Sequence, residues 1–95
     1  MSQVTVIATI RALEGHEEAV LDSLKQLLAP TRAEEGCLNY DLHRDLEDPG
    51  CFCFHENWES QAHLDRHLKT DHIAANRARI QDKIESLVVQ RLERV

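Results

Sequence analysis

The sequence predicts an α+β fold with the element order β-α-β-β-α-β and a four-stranded antiparallel sheet. Three observations lead to this prediction. Residues 3–11 are apolar on both faces of a strand, residues 37–58 form two alternating segments around a turn, and the stretches between the predicted strands have helical apolar spacing. This order is the split β-α-β arrangement of ferredoxin-like folds, with the helices on one face of the sheet.

The first strand and the first helical segment are predicted from residues 3–36. Residues 3–11, QVTVIATIR, place β-branched or apolar side chains on both faces, as expected of a covered strand. A helix opens after Gly15, and its apolar stripe consists of Val20, Leu24, Leu27 and Leu28. Pro30 cannot continue an unbroken helix, so we expect a kink or a restart there. Gly36 suits the left-handed position that ends a helix.

A hairpin is predicted from residues 37–44, CLNYDLHR, and 51–58, CFCFHENW, because both alternate and the turn LEDPG lies between them. Cys53 and His55 belong to one of its faces. We expect the other face to point towards the helices, and it carries Leu38, Tyr40, Leu42, Phe52, Phe54, Glu56 and Trp58.

The last segments predict a second helix in two pieces and a terminal strand. Ser60 is a suitable N-cap for a helix at 61–69. A second piece at about 73–85 carries an apolar stripe of Ile73, Ile80 and Ile84, with Arg77 between them. Residues 87–92, LVVQRL, read as the last strand.

Length, charge and cysteine content narrow the functional class. The chain has 95 residues, so we expect one domain, residues 1–95. A net charge of −6 without a basic stripe disfavours nucleic acids and anionic membranes as partners. The three cysteines do not suggest a disulfide framework, and the start of the chain shows neither a signal peptide nor a membrane span. We therefore expect a cytoplasmic protein.

The sheet face opposite the helices is predicted to be partly apolar. It receives one side of the first strand and the cysteines of the third, and an apolar face of this kind tends to be covered. We expect a homodimer that packs sheet face on sheet face.

Residues 55–72 hold four of the six histidines and the only tryptophan, and they leave three interpretations open. The first is a metal site, since His63 and His67 are four residues apart on a helix, with His72 and Glu56 as further ligands. The second is structural: His63 and His67 each precede a buried leucine and would line the margin between core and water.

The third interpretation is a ligand cavity. The aromatic side chains of the hairpin would form its floor, and the break at 69–73 would open it. His67 would serve as a general base because an imidazole titrates near neutral pH. Arg77 would stabilise an anion. Glu56, on the same face as Trp58, needs a partner, and we expect it to tie its strand to a helix.

The segment EEGCLNYDLHRDLEDPGCFCFHENWESQAHLDRHLKTDHI resembles the antibiotic biosynthesis monooxygenase (ABM) family and, within it, the small quinol-monooxygenase-like proteins. The matching positions are Gly36, Cys37, Tyr40, Pro49, Gly50, Glu56, Trp58, His67 and His72. The resemblance implies a dimeric α+β barrel of ferredoxin-like protomers. It also implies a monooxygenase without a cofactor, in which the substrate itself loses a proton and reduces dioxygen.

The sequence departs from parts of the family pattern. Oxygenases of the family often have Asn at the position of Phe54, and the first strand lacks the Asn that haem-degrading relatives use, which disfavours haem degradation. We expect a quinol or polyphenol substrate, His67 as the base, and His63 or His72 as its alternatives. Trp58, Tyr40 and Phe54 would form an aromatic wall, and Glu56 and Arg77 would contact the substrate. We expect neither a metal nor an organic cofactor. The alternatives are an isomerase acting on a small carbonyl compound and a ligand-binding domain without catalysis.

Overall fold

Residues 2–95 are described by a computed structural model. The strands are β1 (Val4–Ala12), β2 (Cys37–Arg44), β3 (Cys51–Trp58) and β4 (Ile84–Leu92), and they form an antiparallel sheet in the order β2-β3-β1-β4. Two helices precede β2, namely α1 (Glu17–Lys25) and α2 (Leu28–Arg32), and two follow β3, namely α3 (Gln61–His67) and α4 (Asp71–Ile80). This architecture confirms the predicted β-α-β-β-α-β fold with a broken second helix.

Strand β1 lies in the middle of the sheet and supplies the floor of the core. Its helix-side residues Val6, Ala8 and Ile10 are buried, as the two-sided apolar pattern requires. Ala8 pairs with Phe54 on β3 and with Val89 on β4. Because the alanine side chain is short, it leaves space between the centre of the sheet and the helices.

The hairpin has the predicted bounds, but Leu38 does not lie on the predicted face of the sheet. The pairing passes from Cys37 opposite Trp58 to Asn39 opposite Asn57, so Leu38 is the extra residue of a bulge. Leu38 is therefore 48% exposed, whereas Cys37 packs against the core. Strict alternation predicted Leu38 on the helix side, and the bulge makes that prediction wrong.

The second helical segment ends earlier than predicted. Helix α4 ends at Ile80 rather than near residue 85, and β4 begins at Ile84 rather than at residue 87. Ile84 follows Ile80 by four residues, which mimics a helical stripe, but it pairs with Ala12 in the sheet. Ile80 packs with the core from α4, and Ile84 does so from β4. Their spacing of four residues does not distinguish a continued helix from a helix followed by a strand.

The first helical segment is broken, as predicted from Pro30. Helices α1 and α2 are separated at residues 26–27, where a continued helix would need the Pro30 nitrogen to donate to the Gln26 carbonyl oxygen. Gly36 has a φ of 85° and ends the segment in the predicted left-handed conformation. This turn fixes where Glu34 stands relative to the hairpin.

The helices do not cover the whole sheet. Leu87 and Val89 on β4 face the helix side but remain about half exposed. The helical layer therefore leaves an opening over β4, next to the space above Ala8. None of the helices among residues 2–95 has the length and apolar character needed to cross a membrane.

Candidate functional site

His67 is the central residue of the candidate site. Ser60 caps α3, its hydroxyl oxygen accepting a hydrogen bond from the His63 backbone nitrogen at 3.3 Å. Leu64 and His67 are three residues apart on this helix, so they share one face, and that face is buried. His67 is only 2% exposed. The predicted marginal position was wrong, because His67 shares the buried face of α3 with Leu64, while Leu68 packs only partly buried against the core.

Glu34 joins two histidines that the sequence does not associate with it. Its Oε2 atom lies 2.7 Å from Nδ1 of His67 and 2.8 Å from Nε2 of His72. Because a carboxylate oxygen accepts hydrogen bonds, Nδ1 of His67 carries the proton in this contact, and Nε2 keeps its lone pair. Glu34 thereby holds the imidazole in one orientation and one tautomer.

Nε2 of His67 has no hydrogen-bond partner among residues 2–95. This atom is not fully enclosed by the protein. The imidazole lines a cavity between the sheet and the helices, and Nε2 is the ring nitrogen left available to it. Burial lowers the pKa of the His67 imidazole below its ordinary value, although the hydrogen bond and the charge of Glu34 raise it. A lowered pKa favours the neutral imidazole, and with Nδ1 donating to Glu34 the lone pair of that form is on Nε2, as a general base needs.

Aromatic rings hold His67 in place. Its ring centroid lies 4.6 Å from that of Trp58 and 5.6 Å from that of Tyr40. Tyr40 in turn stacks on Phe54 at 4.6 Å. Tyr40 and Phe54 line the cavity as predicted, whereas the fully buried Trp58 is not one of the lining residues and supports His67 from behind.

Glu56 is a buried carboxyl at the cavity. It is 4% exposed, and its Oε1 atom accepts a hydrogen bond of 2.9 Å from the indole nitrogen of Trp58. We expected a link from Glu56 to a helix, but its partner is on its own strand, because residues two apart on a strand share a face. Burial raises the pKa of Glu56 to about 7, the indole bond opposes this, and the charge of Glu34 adds to it.

The cavity itself has a volume of about 340 Å³. This is within the range of small-molecule sites, which are mostly apolar with a few polar groups. His67 and Glu56 supply titratable groups inside it, and Asn76, Arg77, Gln81 and Arg91 add polar side chains. Its apolar lining consists of Val6, Ala8, Ile10, Leu24, Leu27, Tyr40, Phe54, Leu64, Leu68, Ile73, Ile80, Ile84, Leu87 and Val89.

The remaining predicted residues lie further from this centre. Arg77 lines the cavity from α4 but is exposed, so it belongs to the rim. His63 is not a lining residue; its Nδ1 lies 2.7 Å from the Ser60 hydroxyl, and its ring packs over Gly36. The metal interpretation predicted that His63 and His67 would reach the same ion, and this prediction was wrong. The ring of His63 contacts Ser60 and Gly36, whereas the ring of His67 contacts Glu34 and Trp58.

Sequence reasoning missed Glu34, and it missed the polar cavity-lining residues Asn76, Gln81 and Arg91. Glu34 stands in an acidic pair before a glycine and resembles an ordinary helix end. Within residues 2–95, Glu34, His67 and His72 are the group of side chains whose arrangement fits a metal ion, with ligand atoms within 4.8 Å of one another. The sequence indicated two of these residues, and only the fold supplies the third.

The chain belongs to the antibiotic biosynthesis monooxygenase family, whose model matches residues 3–79. This match confirms the predicted resemblance. Membership of the family supports monooxygenase as the class of activity.

Among curated relatives, "Probable quinol monooxygenase YgiN" of Escherichia coli strain K12 is 38% identical, over 76% of this chain and 79% of its own length. The crystal structure of PA3566 from Pseudomonas aeruginosa has a TM-score of 0.96 and 39% identity, covering 100% of this chain and 96% of that one. The structure of Rv0793 from Mycobacterium tuberculosis has a TM-score of 0.93 and 29% identity, covering 99% and 96%. These similarities agree with the ferredoxin-like fold described above.

Proposed function

We propose that this protein is a monooxygenase that oxidises a small quinol or polyphenol with dioxygen, without a bound metal or organic cofactor. The arrangement of His67 carries the proposal: Nδ1 is held by Glu34, and Nε2 is open to an apolar cavity. The family and the relative named as a quinol monooxygenase support the same class of substrate.

The proposed reaction begins when Nε2 of His67 removes a proton from a substrate hydroxyl. The resulting phenolate is electron-rich and transfers an electron to dioxygen, and the two radicals combine as a peroxide on the ring carbon. Loss of water then leaves a hydroxylated quinone. One oxygen atom enters the product, the other leaves in water, and the substrate supplies all four electrons. No external reductant is needed.

The other cavity residues have distinct proposed roles. Tyr40 and Phe54 stack with the aromatic substrate. Glu56 offers a second polar contact, since Oε2 makes no hydrogen bond within the described chain and is not fully enclosed. Arg77 at the rim would stabilise the phenolate or another anionic group, because no carboxylate of residues 2–95 forms an ion pair with it. Trp58 and Glu34 act as positioning residues.

Oxygen uptake by metal-stripped protein with a panel of quinols and polyphenols tests this function. The wild-type protein should consume oxygen and incorporate one labelled atom per product, and His67→Gln should lose at least a hundredfold in rate. His16→Ala is the matched control, because His16 is an exposed histidine just before α1, outside both the cavity and the sheet. Full activity in His67→Gln would exclude His67 as the base, and no uptake with any member of the panel would contradict the oxygenase proposal.

A second candidate is an isomerase for a small carbonyl compound. The observation that favours it is the presence of two titratable groups, His67 and Glu56, on one cavity, as in enzymes that move a proton between two carbons. Exchange of substrate hydrogen for deuterium under nitrogen would identify this activity, since an isomerase needs no oxygen. Tight binding of a ligand without turnover or exchange would indicate a binding domain instead.

We also propose the homodimer through the open sheet face. Val88 and Leu92 of β4 lie on that face together with Ile7 of β1, and both β4 side chains are about half exposed. Sedimentation of the wild-type protein and of Val88→Lys tests it: the wild type should sediment as a dimer and the variant as a monomer. A monomeric wild type would contradict this assembly. The single domain and the cytoplasmic location stay predictions.

A further inference from the structure

We propose that Glu34, His67 and His72 form a binding site for a divalent cation of the zinc class, and that occupation of this site inhibits the enzyme. The three side chains come from the turn before β2, from the last residue of α3 and from the first turn of α4. Two imidazoles and one carboxylate are a ligand set that zinc accepts in proteins.

The geometry needs little adjustment to accept a metal. Oε2 of Glu34 is already in contact with one nitrogen of each imidazole, at 2.7 and 2.8 Å, and all three ligand atoms lie within 4.8 Å of one another. Zinc bonds of about 2.0–2.2 Å place neighbouring ligand atoms roughly 3–3.5 Å apart. Opening each hydrogen bond by about half an ångström, and bringing the two histidine nitrogens from within 4.8 Å to the same spacing, would therefore make room for the ion. Three protein ligands leave a fourth position for water.

The backbone around the site is fixed by Thr70. Its hydroxyl donates a hydrogen bond of 2.8 Å to the His67 carbonyl oxygen and accepts one from the Ile73 backbone nitrogen. This bond pattern sets the angle between α3 and α4, and so the distance between His67 and His72. The histidines are presented by a short, hydrogen-bonded turn, which limits the ordering that metal binding requires.

The site lies outside the substrate cavity. His67 lines the cavity, but neither Glu34 nor His72 does. The side chains of His72 and Glu34 are 24% and 15% exposed, while that of His67 is 3% exposed. A cation can therefore reach the cluster from solvent, on the side of His72, and it would sit behind the His67 ring. It would contact no substrate, which distinguishes it from a catalytic metal.

The inhibition follows from the two nitrogens of one imidazole. A metal bound through Nδ1 leaves the proton of the neutral ring on Nε2, which then has no lone pair for a substrate proton. The ion would also replace the contact through which Glu34 orients His67. This consequence rests on the proposed role of His67 as the base, whereas cation binding itself does not.

Calorimetric titration of the metal-stripped protein with Zn²⁺ tests the binding site. We expect one ion per chain, and at least tenfold weaker binding in Glu34→Gln and in His72→Ala. His16→Ala, a change of the exposed histidine that precedes α1, should bind as the wild type does. Unchanged affinity in both cluster variants would overturn the proposal. An equal loss of Zn²⁺ affinity in His63→Ala would also overturn it, because the ion would then be bound by His63 and His67.

Oxygen uptake in the presence of Zn²⁺ then tests the inhibition. Wild-type turnover should fall over the same concentration range in which calorimetry shows binding, and whatever rate remains in His72→Ala should be at least tenfold less sensitive to Zn²⁺. Binding without inhibition would overturn the regulatory half of the proposal. If the protein shows no turnover at all, the proposed function fails, while the calorimetric comparison still decides whether the cation site exists.

Discussion

Nδ1 of His67 lies 2.7 Å from Oε2 of Glu34, although 33 positions separate the two residues along the chain. This contact joins the end of the first helical segment to the end of α3. It determines which nitrogen of His67 is open to the cavity, and so it decides the chemistry available there. The candidate site is built around this pair rather than around the two histidines of α3.

Glu34→Gln should lower kcat by roughly tenfold or more while KM stays nearly unchanged. The amide keeps the size of the side chain but removes its charge, so it holds the imidazole less firmly and stabilises the protonated ring less. Steady-state oxygen uptake measures both constants. Glu35→Gln is the control, because the neighbouring Glu35 side chain is 81% exposed and is not a lining residue. Equal effects of the two substitutions would contradict the orienting role of Glu34.

Glu56 should make the stability of the protein fall as the pH rises from 4.5 to about 7. Its folded-state pKa is raised above the ordinary value, so in this window the folded protein retains a proton that the unfolded chain has released. The full contribution is about 3 kcal/mol. Glu56→Gln should lack this slope, and the difference between the two proteins in urea unfolding at several pH values isolates it. Identical pH dependence in both would show that Glu56 titrates normally.

Trp58→Phe should raise the pKa of Glu56 further. The indole N–H is the hydrogen-bond donor to this carboxyl, and the bond favours its charged form. Phenylalanine keeps an aromatic ring behind His67, whereas alanine would cost about 3–5 kcal/mol of stability at this fully buried position. Carbon-13 NMR titration of the side-chain carboxyl gives the pKa directly. An unchanged value would mean that the indole bond does not form in solution.

Gly36→Ala should destabilise the fold more than Gly15→Ala. Both glycines have positive φ, 85° and 88°, so alanine brings a similar backbone strain of about 1–2 kcal/mol at either position. A Cβ on Gly36 would also stand 2.3 Å from the His63 ring, whereas one on Gly15 meets nothing within 4 Å. Chemical unfolding of the two variants measures the difference, which reports the contact between His63 and this turn. Equal losses would show that the His63 ring moves aside at no cost.

The sequence predicted the bounds of an element best where its side chains followed a single periodic pattern. Strands β2 and β3 have the predicted bounds because their side chains alternate on both sides of a strong turn. The prediction failed where two periods fit the same residues: Ile84 follows Ile80 at helical spacing and yet opens a strand. Leu38 was misplaced for a different reason, since a bulge shifts the facing of one residue without a marker in the alternation.

The sequence by itself determined the element order, the family resemblance and the identity of the aromatic and histidine side chains near the cavity. These properties depend on local pattern and on short motifs, which a single chain displays directly. Only the tertiary structure decided that His67 is buried, that Glu34 is its partner, and that Trp58 stands behind the cavity instead of on it. The physical reason is that each of these facts depends on the packing of segments distant in sequence, and helix spacing does not specify which side of α3 meets the sheet.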